Sequence, residues 1–244
     1  MSRLTKWLRR RRNLAAGLAS IDPFVAQSRL LQGISRPVIF DAGAHYGETA
    51  LRYRACFPDA EIHCFEPTPA SFERLRTATA PLDDVRLVDR GLADKPGLKT
   101  FHVNRLDGTN SLLPRPSSGP RHYPEGGETV GKLEIPVTTL DDYCREGDID
   151  RVDILKMDIQ GGELLALEGG EEMLSSGRVG LIYSEVMFVP LYEGGPQYQD
   201  LAARLTELGF SLFNFYQLSG AANGQLRYGN ALFLSSKLRE EALD

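Results

Sequence analysis

The segment Val38-Ile39-Phe40-Asp41-Ala42-Gly43-Ala44-His45-Tyr46-Gly47-Glu48-Thr49 constrains the fold of this chain more than any other. Its apolar start reads as a buried strand, its glycines as a turn, and its end as the opening of a helix. A second apolar run, Ile62 to Phe65, stops at Glu66-Pro67. Strand, glycine loop, helix, strand and terminal acid make up the nucleotide-binding half of a doubly wound α/β sheet. The loop spacing narrows the ligand. A pyrophosphate loop prefers G-x-G-x-x-G, so that backbone N–H groups can approach the phosphates. Here Gly43 and Gly47 are four apart, Asp41 precedes them, and His45 stands where the middle glycine would be. An acid at the strand end repels a pyrophosphate and suits a cationic ligand. S-adenosylmethionine, which carries a sulfonium and an ammonium, fits this loop better than a dinucleotide.

Alternating strands and helices continue to the end of the chain. Strands are expected over 61–65, 85–89, 152–159 and 179–187, and helices over 48–56, 69–78 and 198–208. One helix is expected after Gly161-Gly162, carrying Leu164, Leu167, Met173 and Leu174 at near-helical spacing. Such alternation predicts a mainly parallel sheet covered on both faces. Phe210–Tyr216 and Asn230–Leu234, joined by a Gly/Asn-rich turn, predict a closing antiparallel hairpin. That hairpin is what a class I methyltransferase (Rossmann-like) fold adds to the dinucleotide-binding one. The expected organisation is an N-terminal basic, helical extension over 1–35, broken near Asp22-Pro23, and one domain over 36–244. Residues 104–134, rich in proline and glycine, read as a loop long enough to act as a lid.

A net charge of −5 argues against a nucleic-acid binder, whose surface is usually basic. The three cysteines, Cys56, Cys64 and Cys144, form no CxxC pair, which fits a reduced cytoplasmic setting. No apolar run is long enough to span a bilayer. Arg3, Lys6, Arg9, Arg10, Arg11 and Arg12 precede any acid. They read first as a solvated helix, and second as a weak peripheral contact with a membrane surface.

Candidate site residues cluster at strand ends. Asp41 can hold the cofactor ammonium, directly or through water, or can accept N–H groups from the following helix. Gly43 and Gly47 allow close backbone approach, or simply make a tight turn. Glu66, about 20 residues beyond the glycine loop, is placed to accept both ribose hydroxyls. Gly91 and Leu92 are positional candidates for the adenine. In Leu155-Lys156-Met157-Asp158-Ile159-Gln160-Gly161-Gly162-Glu163, Lys156 and Asp158 would share a strand face, and Glu163 would lie in the first helical turn. The cluster can face a substrate, or it can be an ion pair with a helix-stabilising acid. Asp158 is the first candidate for a general base, with His45 and Glu185 behind it. Asp158 and Glu185 without a further clustered ligand do not make a metal site.

Four strings taken together resemble the FkbM family of S-adenosylmethionine-dependent methyltransferases. They are Phe40 to Thr49, Phe65-Glu66-Pro67, Leu155 to Glu163, and Leu167-Glu168-Gly169-Gly170. Val137 to Asp142 resembles the family's run before the fourth strand. The likeness runs from about Val38 to Phe215. It implies a class I fold, S-adenosylmethionine as cofactor, and O-methylation of a hydroxyl on a sugar, glycan or other small metabolite. It implies Asp41, Gly43 and Glu66 at the cofactor, and Lys156, Asp158 and Glu163 at the active centre. Gly162 stands where the family often has alanine. The Pro/Gly-rich stretch 114–131 is longer than the family pattern and is expected to set acceptor choice. Two rival expectations are a catalytically silent methyltransferase-like binding module and, behind it, an NAD-dependent oxidoreductase.

Overall fold

The structure, a computed structural model, describes residues 22–116 and 127–243. The basic residues 1–21 and the middle of the Pro/Gly-rich stretch lie outside the described residues.

A helix begins just after Asp22, which caps it. Its carboxylate accepts the Phe24 N–H at 2.9 Å, and Pro23 takes the first position of α1 (Pro23–Leu30). Then follow β1 (Val38–Ala42), α2 (Glu48–Cys56), β2 (Glu61–Phe65), α3 (Pro69–Thr79) and β3 (Val85–Val88). A second run comprises α4 (Leu140–Glu146), β7 (Val152–Met157), α5 (Glu163–Glu168), α6 (Glu171–Ser175), β8 (Val179–Met187) and α7 (Tyr198–Glu207). The chain closes with β9 (Phe210–Gly220), β10 (Leu226–Ser235) and α8 (Ser236–Leu243).

These strands form a seven-stranded sheet in the order β3-β2-β1-β7-β8-β10-β9. Only β10 runs against its neighbours, pairing antiparallel with β8 and β9. The order reverses between β1 and β7, the switch point beyond which a ligand crevice is expected. Successive strand residues serve opposite faces. Phe40, Leu155, Ile182 and Phe233 pack with residues of α4, α5, α6 and α7. Ile39, Ile154, Leu181 and Leu232 pack with residues of α1, α2 and α3. Full burial of each such side chain contributes about 1.5–3 kcal/mol.

Two expectations need correction. The helix after Gly162 is split into α5 and α6, because a Cβ on Gly169 would lie 2.1 Å from the Ala93 carbonyl oxygen, and one on Gly170 would lie 2.6 Å from Leu140 Cδ2. Close packing against those groups replaces helical continuity. The irregular stretch expected to reach residue 134 ends earlier, since Thr129–Thr138 form β6. With β4 (Gly91–Leu92) and β5 (Gly97–Asn104), β6 builds a second sheet in the order β4-β6-β5. Ala93, Ile135 and Val137 are its buried core.

Candidate functional site

A cavity of about 300 Å³ opens beyond the carboxyl ends of the central strands. The turn after β1 contributes Gly43 and His45, and the end of β2 contributes Phe65, Glu66, Pro67 and Thr68. The turn after β7 contributes Asp158, Ile159 and Gln160. The small sheet supplies an apolar wall of Leu92, Phe101, Ile135 and Val137, with Gly91 beside it. Asp107, Gly108, Asn110 and Leu112 complete the opposite rim. Acids therefore sit at the strand ends and apolar groups on the small sheet.

Glu66 stands where β2 stops, and its side chain is held by two backbone N–H groups and by the Thr68 side chain. Oε2 accepts the His45 N–H at 3.0 Å, and Oε1 accepts the Thr68 N–H at 2.8 Å. The carboxylate can still accept from the cavity. Burial pushes its pKa up, against the lowering effect of the Thr68 and His45 donors.

Asp41 and Lys156 are off the cavity wall. Asp41 and Lys156 are in register between the parallel strands β1 and β7, and Lys156 Nζ lies 2.8 Å from Asp41 Oδ1. The same ammonium donates to the Gly43 carbonyl at 3.0 Å. Asp41 is 0% exposed and does not line the cavity. Its Oδ2 has no hydrogen-bond partner among the described residues, leaving that atom open to a bridging water. Burial raises the Asp41 carboxyl despite the lysine. For Lys156, burial pulls the ammonium down, but the surrounding carboxylates, Asp41 foremost, hold it up overall. The expected shared face of Lys156 and Asp158 does not form, because β7 ends at Met157 and Asp158 has left the strand.

The two loop glycines serve packing. Gly43 has φ +77° and Gly47 φ +94°, both in the left-handed region. A Cβ on Gly47 would meet Leu75 Cδ1 of α3 at 3.1 Å, and Gly47 does not line the cavity. His45, between them, takes φ +48° without being glycine. Its ring stacks on Tyr46 at 3.6 Å, and its Nε2 lies 3.5 Å from Asp107 Oδ1. The Tyr46 hydroxyl also donates to Asp107. The glycine loop is thereby latched to the far rim.

Glu163 turns back into its own loop instead of facing the cavity. Its carboxylate accepts N–H groups from Ile159 at 3.0 Å and Gly161 at 2.9 Å. Burial raises its pKa to about 7. The loop it braces carries the polar centre of the site. Gln160, at φ +54°, donates from Nε2 to Asp158 Oδ1 at 2.7 Å and to Glu185 Oε2 at 2.6 Å. Burial, then the neighbouring Asp158 and Glu163, push the Glu185 carboxyl well above its usual range.

Sequence reasoning placed Glu66, His45, Gly43, Gly91, Leu92 and Asp158 on what proves to be one cavity. It assigned no role to Gln160 or Asp107, and it read Tyr192 only as core or pocket wall. Gln160 and Tyr192 carry no charge, and Asp107 is remote in sequence. The one local signal for Gln160 was its place between an acid and Gly161-Gly162. The segment Gly108-Thr109-Asn110-Ser111 is divided in role. Gly108 and Asn110 line the cavity, whereas the Ser111 hydroxyl donates to the Gln160 carbonyl at 2.6 Å.

A family model for the methyltransferase FkbM domain matches residues 41–212. The chain is similar to the 2-O-methyltransferase NoeI of Sinorhizobium fredii, at 34% identity over 164 residues, covering 65% of this chain and 66% of that protein. It is also similar to the hexuronic acid methyltransferase AglP of Haloferax volcanii, at 26% identity, covering 57% of this chain and 52% of that one. The chain thus spans between about half and two thirds of these relatives. Among solved structures it is similar to magnesium protoporphyrin IX methyltransferase (ChlM) of Synechocystis with bound SAM. The identity there is 10% and the TM-score 0.47, over 87% of this chain and 76% of that one.

Proposed function

The chain belongs to the FkbM methyltransferase domain family, and from that membership we propose that it transfers a methyl group from S-adenosylmethionine to a hydroxyl of a sugar, glycan or small metabolite. The observation that carries the proposal is Glu66, a backbone-braced carboxylate on the wall of a switch-point cavity. Such a group matches the paired hydroxyls of a ribose, and the apolar wall of Leu92, Ile135 and Val137 matches an adenine face. A sugar or glycan acceptor is supported by the names of two relatives, a 2-O-methyltransferase and a hexuronic acid methyltransferase.

The bound cofactor supplies an electrophilic methyl on a sulfonium leaving group. The chain's own residues do the rest. With the cofactor bound, Asp158 would accept the proton of the acceptor's hydroxyl as that oxygen takes up the methyl. A positioned base of this kind accelerates a step by about 10²–10⁴, and alignment within the cavity can contribute more. The rim at Asp107 to Leu112, held to the glycine loop through Asp107, keeps water from the reacting centre.

The deciding experiment is thermal unfolding with S-adenosylhomocysteine and, separately, with NAD. Ligand at 100 times its dissociation constant adds about 2.7 kcal/mol, or roughly 5–10 °C for a domain of this size. A shift with the homocysteine compound alone is expected. A shift with NAD alone would turn the reading toward an oxidoreductase, and no shift with either would favour a silent binding module. No helix among the described residues is long and apolar enough to cross a membrane. Three free cysteines support a cytoplasmic setting. Vesicle binding with and without residues 1–20 tests the peripheral membrane contact.

A further inference from the structure

We infer that Gln160, with its carboxamide oriented by Tyr192, is a positioning residue that holds the Asp158 and Glu185 carboxylates side by side as a single proton-accepting pair. The inference rests on the methyltransferase reading for its purpose, but not for its geometry.

A carboxamide has two N–H donors on one atom and an acceptor on the other. At Gln160 both donors are used, one on each acid, at 2.7 and 2.6 Å. The oxygen lies 2.6 Å from the Tyr192 hydroxyl, which donates to it. Reversing the amide would set its oxygen against two carboxylate oxygens and its nitrogen against the phenol. Tyr192 is 2% exposed, and its hydroxyl also lies 3.0 Å from the Thr109 carbonyl oxygen. The Gln160 backbone is pinned as well, in a left-handed conformation that glutamine rarely adopts, by the Ser111 hydroxyl on its carbonyl. Gln160 is only 8% exposed, so an amide held by three hydrogen bonds has little freedom to turn.

The acids need such a clamp. One follows the end of β7 and the other lies on β8, and two nearby carboxylates repel one another when both are ionised. Lys156 on β7 is the facing cation, with Asp41 on β1 and Glu163 on α5 adding further negative charge. Two N–H bonds to the ionised forms offset part of that repulsion and favour one open carboxylate oxygen beside the cavity. Gln160 also ties the pair to the rim, since its backbone carbonyl accepts from the Ser111 hydroxyl and its partner Tyr192 lies against the Thr109 carbonyl.

The test is a carboxyl ¹³C NMR titration of the full chain without ligand, the two acids being assigned with Asp158→Asn and Glu185→Gln. An N–H donor on a carboxylate lowers its pKa, so removing the donor raises it. Gln160→Ala should move the pair's titration upward by about one pH unit or more. Tyr192→Phe, which keeps the ring and its packing, should move it in the same direction by less. Unchanged titration in both variants, with native-like amide spectra, would overturn the inference. Should the Gln160→Ala chain fail to fold, Tyr192→Phe decides alone, and an unmoved titration there again overturns it. Binding of S-adenosylhomocysteine to the unaltered chain is measured in parallel. Its absence would count against the methyltransferase reading while the titration still judged the clamp.

Discussion

A Cβ on Gly43 would lie 2.0 Å from the carbonyl oxygen of Asp158, so the turn after β1 and the turn after β7 meet backbone against backbone. That contact brings the glycine loop and Asp158 onto one cavity. Gly43→Ala should therefore destabilise the fold through both the collision and the left-handed φ, by roughly 3–5 kcal/mol. Urea unfolding measures this, and a loss below about 1 kcal/mol would show that the contact yields easily.

Lys156→Met should cost about 3–5 kcal/mol, because it strands the Asp41 carboxylate in the sheet without its cation. Adding Asp41→Asn should recover much of that loss. A double-mutant cycle by chemical denaturation reads the coupling directly, and additive losses would mean that the pair is not a unit.

Glu66→Ala should weaken S-adenosylhomocysteine binding about 10- to 100-fold, as loss of a charged hydrogen-bond partner does. Burial raises the Glu66 pKa, so affinity in the unaltered chain should begin to fall, on acidification, above the usual carboxylate range. Calorimetry at several pH values checks both. Unaltered affinity in the variant would remove the ribose assignment.

Glu163 has a pKa of about 7 in the folded chain against 4.5 for the free side chain. Between those values the folded state holds a proton that the unfolded state has released, so this group favours folding fully below 4.5. That contribution is lost as the pH rises through about 7. Glu163→Gln should flatten the decline of stability with pH in this window by up to ~3 kcal/mol. Parallel pH profiles of the two proteins would refute the assignment.

The nucleotide-binding half was legible because every element in it has a local cause. A continuous apolar run makes β1, glycines with positive φ make the turn, and α2 and β2 begin and end where the sequence expects. β6 was not legible, since Val130, Gly131, Lys132 and Glu134 present no buried apolar face. The Gly169-Gly170 break depends on contacts with Ala93 and Leu140, distant in the chain. In the site, acids announced themselves by standing at strand ends, but their partners did not. The pairing of Lys156 with Asp41 follows from β1 and β7 being neighbours in register, and strand order is not written in either segment. Gln160 acts through an amide orientation that only tertiary contacts decide.

The reversal of strand order also governs when the site can come into being. The backbone N–H of Val38 donates to the Asp153 carboxylate at 2.7 Å, joining residues 115 apart in sequence. Pairings of such separation close large loops and form late in folding. The first strands and the last can each begin locally, but the glycine loop, Glu66 and the acid pair converge only when β7 docks on β1. A partly folded chain thus has no cavity with which to capture a cofactor, and ligand affinity doubles as a gauge of completed folding.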